Sequence, residues 1–256
     1  MNFKNYDRVA CVYDYTRKIP NQSVQFFKEK IYSYLQSRYS LTNYRILSIG
    51  AGTGRIESSL ASSNHSLFGI DISQKMLSEF QKKELPTCYL VQADGLSLPF
   101  SKNFHLISAI NFVHLIQDYR QFYNEVTNST GSLLVGYAYT DTEYHPYYLK
   151  FRQLILENQR EEQESDDTDL RDFHQFMEST GYKPEVCELK TDEEIRNQDI
   201  VSSLQNRYFR SLWEIDNKIF EKTLHDFKEY LSTSKDVKGE TYSTYSITKL
   251  FFYELD

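Results

Sequence analysis

Between residues 44 and 139, short apolar runs alternate with helix-patterned stretches, and this constrains the fold of the 256-residue chain more than any other feature. YRILSIG (44–50), SLFGIDI (66–72), CYLVQAD (88–94), FHLISAI (104–110) and GSLLVGYAY (131–139) read as buried strands. RIESSLASS (55–63) places Ile56 and Leu60 one helical turn apart. SQKMLSEFQKK (73–83) carries an apolar face of Met76, Leu77 and Phe80 behind Ser73, a residue type that caps helix N-termini. DYRQFYNEVTNST (118–130) continues the helical pattern. Strand and helix alternating at this spacing predict an α/β fold, a doubly wound and mainly parallel sheet with helices on both faces. Right-handed crossovers leave few topologies, and ligands in such sheets sit beyond the carboxyl ends of the strands, where the strand order reverses.

The flanking segments complete this plan. Residues 1–40 read as a helical cap, with Val24, Phe27, Ile31, Tyr34 and Leu35 at helical spacing. The region 44–139 is then the core of one domain. HPYYLKFRQLILENQR (145–160) and DLRDFHQFMESTGY (169–182) read as helices, and the acidic run 161–170 as a solvated loop. KPEVCELK (183–190) and TYSTYSITKLFFYEL (241–255) are strands, which brings the sheet to seven. The stretches 142–168 and 192–235 are then helical insertions, placed to form a lid.

The first strand runs into Gly50-Ala51-Gly52-Thr53-Gly54-Arg55. A dinucleotide fingerprint requires a third glycine where this chain has Arg55, and the G-x-x-x-x-G-K-[ST] phosphate loop is absent. What stands is G-x-G-x-G, a turn in which missing Cβ atoms let backbone come close to a ligand that need not carry a pyrophosphate. Asp71 ends the second strand about twenty residues after Gly50, the spacing at which a carboxylate accepts from ribose hydroxyls.

These residues together resemble the class I S-adenosylmethionine-dependent methyltransferases, small-molecule type. ILSIGAGTGR (46–55) is similar to that family's cofactor loop, GIDISQKML (69–77) to its second motif and QADGLSLPF (92–100) to its third. FHLISAINFVHLIQD (104–118) is similar to its fourth strand and following turn, and YDRVACVYDYTR (6–17) to the segment that closes over the cofactor. The resemblance implies the family's Rossmann-like seven-stranded fold, with S-adenosylmethionine as donor and S-adenosylhomocysteine as product. It implies cofactor contacts from Tyr13, Arg17, Gly50, Ala51, Gly52, Gly54, Asp71, Ile72, Met76, Asp94, Gly95 and Asn111. In that reading Asp71 takes the ribose, Asp94 the adenine amino group, and Tyr13 with Arg17 the methionine carboxylate. His114, after the fourth strand, is placed to act as a general base if the acceptor must lose a proton. Asn111-Phe112-Val113-His114 lacks the prolines of amine-methylating enzymes acting on DNA or glutamine, so Asn111 is expected to touch cofactor through its backbone. Two positions depart from the family pattern. Ser48 stands where an acidic residue precedes the first glycine, and His105 follows Phe104 where Asp is common.

The expected reaction is methyl transfer to an O, N or C atom of a small molecule. A non-catalytic cofactor-binding relative, favoured by Ser48, and a protein or peptide methyltransferase are the alternatives; a dehydrogenase is opposed by Arg55 and the Asp94 motif. Net charge of −7 argues against a nucleic-acid partner. No apolar stretch approaches membrane-spanning length and no leader pattern opens the sequence, so a cytoplasmic protein without a membrane partner is expected. Cys11, Cys88 and Cys187 lack metal-ligand spacing, and no metal is expected.

Overall fold

The computed structural model describes residues 3–62, 64–100, 104–159, 170–233 and 240–255. In chain order its strands are β1 (Arg45–Ile49), β2 (Ser66–Asp71), β3 (Cys88–Gln92), β4 (Leu106–Ile110), β5 (Ser132–Thr140), β6 (Glu185–Arg196) and β7 (Thr241–Glu254). Its α-helices are α1 (Tyr13–Thr16), α2 (Asn21–Arg38), α3 (Glu57–Leu60), α4 (Gln74–Gln81), α5 (Tyr119–Thr127), α6 (Pro146–Asn158), α7 (Leu170–Ser179), α8 (Asn197–Gln205) and α9 (Asn217–Thr233). The seven strands form one sheet in the order β3-β2-β1-β4-β5-β7-β6, mostly parallel, as expected for a Rossmann-like fold. β1 pairs in parallel with both β2 and β4, so the order reverses at β1 and the crevice opens above its carboxyl end.

Alternation along the strands explains why both sheet faces are covered. Ile46, Leu106, Leu134, Leu250 and Phe252 join one apolar cluster with Phe27, Ile31 and Leu35 of α2 and Phe80 of α4. Their neighbours Leu47, Ile107, Leu133, Phe251 and Tyr253 join a second, with Phe122 and Val126 of α5 and Phe173 and Met177 of α7. Each strand thus presents successive side chains to opposite helical layers. Ser73 caps α4 as the sequence suggested, its Oγ accepting from the Met76 amide at 3.1 Å, and Asp118, not read as a cap from sequence, caps α5 through the Gln121 amide at 2.8 Å.

The chain divides into two compact units. The first comprises Met1–Tyr139, Asp167–Lys190 and Ile247–Asp256; the second comprises Thr140–Asp166 and Thr191–Ser246. The second unit has its own core, in which Tyr148, Phe151 and Leu154 of α6 pack with Ile200 and Leu204 of α8 and Phe220 and Phe227 of α9. It holds most of the segments read as insertions, together with parts of β6 and β7; β6 runs on to Arg196, beyond the run 183–190, whereas β7 keeps within its run. The lead-in is less regular than a single helix: 3-10 turns at Phe3–Arg8 and Ala10–Val12 precede α1. The stretch 192–235, read as a helical insertion, is broken between α8 and α9 by a 3-10 turn at Arg210–Leu212. The acidic run 161–170 lies outside the described residues except for Leu170.

Candidate functional site

A cavity of about 310 Å³ opens at the carboxyl ends of β1 to β4, within the first unit. Its wall follows the strand ends: Gly50 and Gly52 after β1, Asp71 to Ser73 and Met76 after β2, Ala93 to Leu96 after β3, and Asn111, Phe112 and Leu115 to Asp118 after β4. Tyr6 and Tyr13 complete it from the lead-in. Nine of the residues expected to touch cofactor therefore share one cavity: Tyr13, Gly50, Gly52, Asp71, Ile72, Met76, Asp94, Gly95 and Asn111. Ala51, Gly54, Arg17 and His114 are not in the lining. His114 occupies a 3-10 turn, Val113–Leu115, whose neighbours Phe112 and Leu115 do reach the wall.

The glycines divide by what replaces their side chains. A Cβ on Gly54 would stand 2.3 Å from the Phe80 ring, and one on Gly50 2.4 Å from Phe112. A Cβ on Gly95 would stand 2.5 Å from Ile49 and 2.8 Å from Phe112. The bareness of these three admits the protein's own side chains, with Phe112 wedged between the turns after β1 and β3. Gly52 differs. Its φ of +55° is the left-handed conformation, and a Cβ there would meet nothing nearer than the Gly50 carbonyl oxygen at 4.0 Å. Of the loop glycines, Gly52 alone leaves open space beside a cavity it lines. The expectation that each missing Cβ makes room for a ligand is corrected to this one position.

The loop's amides are largely committed. Ala51 donates to Ile70 at 2.9 Å, Gly54 to Ala51 at 2.9 Å, and Gly52 to Asp71 Oδ2 at 2.9 Å. Asp71 Oδ1 accepts from the Ser73 amide at 2.8 Å. Burial raises the Asp71 pKa, and the amides of Ser73 and Gly52 oppose that rise. One carboxylate thus fixes both the glycine loop and the turn into α4, and each of its oxygens retains a lone-pair site. Asp94 makes a similar but exposed turn, its Oδ1 accepting from Leu96 at 2.9 Å.

Asn111 ends β4 at φ +53°, a conformation Asn tolerates better than most residues. Its amide side chain donates to the Ala138 carbonyl at 3.2 Å and accepts from the Ala138 N–H at 3.1 Å, extending the pairing of β4 with β5. The side chain is spent on the frame, and so is the backbone N–H, which donates to the Gly136 carbonyl at 2.8 Å. Ser48 donates to Glu57 at 2.6 Å, a carboxyl from α3 that is 5% exposed and whose pKa is raised by burial. A carboxyl group therefore does stand beside Ser48, carried by a helix rather than by the strand. His105 is structural: its Nδ1 accepts from the Arg45 amide at 2.8 Å, and burial lowers its pKa. His145, which follows β5, is fully buried, caps α6 through the Tyr147 amide at 3.1 Å and pairs with Asn197 at 3.0 Å.

Charge favours one class of ligand. The lining contains Asp71, Asp94 and Asp118 and neither lysine nor arginine among the described residues. A pyrophosphate would meet carboxylates and committed amides there, whereas a cationic ligand would be attracted. No group of three or more metal-ligating side chains occurs among the described residues, and no described helix is long and apolar enough to cross a membrane.

Residues 46–130 match the family model for a methyltransferase domain. That region is similar to a methyltransferase domain. The match spans β1 to α5 and contains every cavity residue except Tyr6 and Tyr13. Solved structures share the fold of this domain at low identity. An Anabaena variabilis protein assigned as a methyltransferase from an antibiotic biosynthesis pathway is 15% identical, with a TM-score of 0.57 over 91% of this chain and 98% of that one. The YcgJ protein of Bacillus subtilis is 15% identical, with a TM-score of 0.51 over 89% of this chain and 99% of that one. A Bacillus halodurans C-125 protein assigned as a methyltransferase is 13% identical, with a TM-score of 0.50 over 86% and 96%. No curated protein matches the sequence.

Cavity residues to which the sequence assigned no binding role are Tyr6, Ser73, Ala93, Leu96, Phe112 and Leu115 to Asp118. The signal for most of them is positional: they directly follow strands whose ends define the crevice.

Proposed function

We propose that this chain is a methyltransferase that moves a methyl group from S-adenosylmethionine to an O, N or C atom of a small molecule. The observation that carries the reading is the open space at Gly52 in a cavity whose charged lining groups, among the described residues, are all carboxylates. S-adenosylmethionine supplies a methyl group on a positively charged sulfur, which leaves as a neutral thioether. Asp71 is proposed to accept from the ribose hydroxyls with its remaining lone pairs, and Asp94 to accept from the adenine amino group. Gly52 lets backbone approach the cofactor, Gly50 and Gly95 make room for the Phe112 ring that shapes the wall, Ile72 and Met76 supply apolar contact, and Asn111 holds the end of β4 in place. Tyr13 borders the cavity directly, whereas Arg17 acts from behind it, its guanidinium 4.8 Å from the Tyr13 ring centre.

The residues mainly align donor and acceptor and exclude water. His114 lies off the wall, so we propose no proton transfer through it; His114→Ala is expected to leave both cofactor affinity and turnover near wild type.

Calorimetric titration of the full chain with S-adenosylmethionine, S-adenosylhomocysteine and NAD tests the reading. Binding of either adenosyl ligand without NAD supports it, and NAD binding alone overturns it. Turnover is then sought on candidate acceptors by following S-adenosylhomocysteine release.

A further inference from the structure

The lead-in repeats one dipeptide, Tyr6-Asp7 and then Tyr13-Asp14. Both tyrosines line the cavity. Both aspartates reach a hydroxyl on a loop beneath it. Asp7 Oδ1 accepts from Ser73 Oγ at 2.5 Å, and Ser73 both caps α4 and donates its amide to Asp71. Asp14 Oδ1 accepts from Thr53 Oγ1, the residue between Gly52 and Gly54. Each aspartate is thus tied to a different cofactor-facing loop, Asp7 to the turn after β2 and Asp14 to the turn after β1.

The second tie is reinforced. Lys83 Nζ lies 2.9 Å from Asp14 Oδ2, and Arg55 Nε lies 3.9 Å from Asp14 Oδ1. Arg55 also donates to the Arg17 carbonyl and stands 4.7 Å from the centre of the Tyr13 ring. Arg55, the residue that breaks the dinucleotide fingerprint, therefore braces the segment carrying Tyr13. Between the two ties Val9 and Ala10 are buried and seat the segment.

We propose that Asp7 and Asp14 are positioning residues that hold Tyr6 and Tyr13 in the cavity wall and lock the two cofactor loops beneath them. The inference rests on the reading of the cavity as a methyl-donor site. It makes the lead-in a part of the binding site rather than a helix that happens to cross it. Bound cofactor and the two ties should stabilise one another, because both require the same arrangement of the loops after β1 and β2.

The test uses the full chain and S-adenosylhomocysteine, so no acceptor is required. Dissociation rates are measured by displacement for wild type, Asp7→Ala, Asp14→Ala, Thr53→Val and the Asp14→Ala/Thr53→Val double variant. Trypsin cleavage after Arg8 and Arg17 is followed with and without ligand. Expected results are a dissociation rate raised at least tenfold in each aspartate variant, a double variant no faster than Asp14→Ala alone, partial restoration by Asp14→Glu, and loss of ligand-dependent protection from trypsin. Unchanged dissociation with a lowered melting temperature would reduce the aspartates to structural glue and overturn the proposal, as would additive effects in the Asp14–Thr53 cycle. A wild-type chain that binds no S-adenosylhomocysteine would instead defeat the methyl-donor reading and this inference with it. A variant that fails to fold is replaced by its asparagine counterpart, for which a smaller rise in dissociation rate is expected and an unchanged rate overturns the proposal.

Discussion

Replacing Gly52 by alanine separates two costs that sequence alone leaves merged. Gly52 has φ +55°, so an alanine there pays for a left-handed backbone, about 1–2 kcal/mol. No steric cost is added, since the new methyl meets nothing nearer than 4.0 Å. Gly181, just after α7, provides the control: φ is +94° and nothing lies within 4 Å of its Cβ position. Both variants are expected to melt about 2–8 °C lower, at roughly 2–4 °C per kcal/mol for a chain of this size. Only Gly52→Ala places its methyl in the proposed path of the cofactor backbone contact. It should weaken S-adenosylhomocysteine binding more than tenfold, about 1.4 kcal/mol or more, while Gly181→Ala leaves affinity unchanged. Thermal melts and calorimetric titrations of the two variants give both numbers. A Gly52→Ala protein that melts lower yet binds within twofold of wild type would show that the position serves the turn alone. Gly54→Ala should be the most destabilised of the loop variants, because its methyl is driven into the Phe80 ring.

The remaining predictions concern carboxyl and histidine groups. Asp71→Asn removes the charge while keeping an acceptor and is expected to weaken cofactor binding by about 1–3 kcal/mol, measured by titration; equal affinity would refute ribose recognition by Asp71. Glu57 is buried with a raised pKa, so the folded state holds its proton more tightly and stability falls as pH rises above the ordinary glutamate range. Glu57→Gln should therefore gain stability relative to wild type between pH 5 and pH 8 in denaturant melts. His174 has the opposite sign: burial lowers its pKa to about 4, with Lys249 adding to the effect, and Nδ1 pairs with the Tyr253 hydroxyl at 2.5 Å. Its contribution is fully present above pH 6.5 and is lost as pH falls toward 4, and His174→Asn should flatten that part of the stability profile.

Much of the first unit was legible because its signals are local. The Ser73 cap, the strand runs and the apolar stripe of α2 each lie within one element, and a parallel sheet makes strand order nearly follow from them. The cavity was legible where residues directly follow strand ends, as with Asp71, Asp94 and Asn111. It was illegible where the deciding contact comes from far along the chain. Nothing near Gly50 or Gly54 announces that Phe112 and Phe80 fill the space beside them, and nothing near Ser48 announces that Glu57 supplies a carboxyl. The independent core of the second unit was hidden for a related reason. Its apolar residues come from two separated segments, and a helical pattern within either one does not reveal that they pack together.

The strand order has a consequence for how the chain is made. β5 lies in the sheet between β4 and β7, and the part of β7 that belongs to the first unit starts at residue 247. During synthesis, Leu133, Leu134 and Val135 reach the solvent more than a hundred residues before Leu250, Phe252 and Tyr253 arrive to cover them. Until then β5 is an apolar strand with one unpaired edge, the kind that recruits strands from other chains. A ribosome stalled ahead of residue 247 would release a polypeptide whose cofactor loops are already encoded but whose sheet is open on that side. Such fragments should aggregate rather than bind, so the end of the described chain governs the solubility of a site built entirely near its beginning.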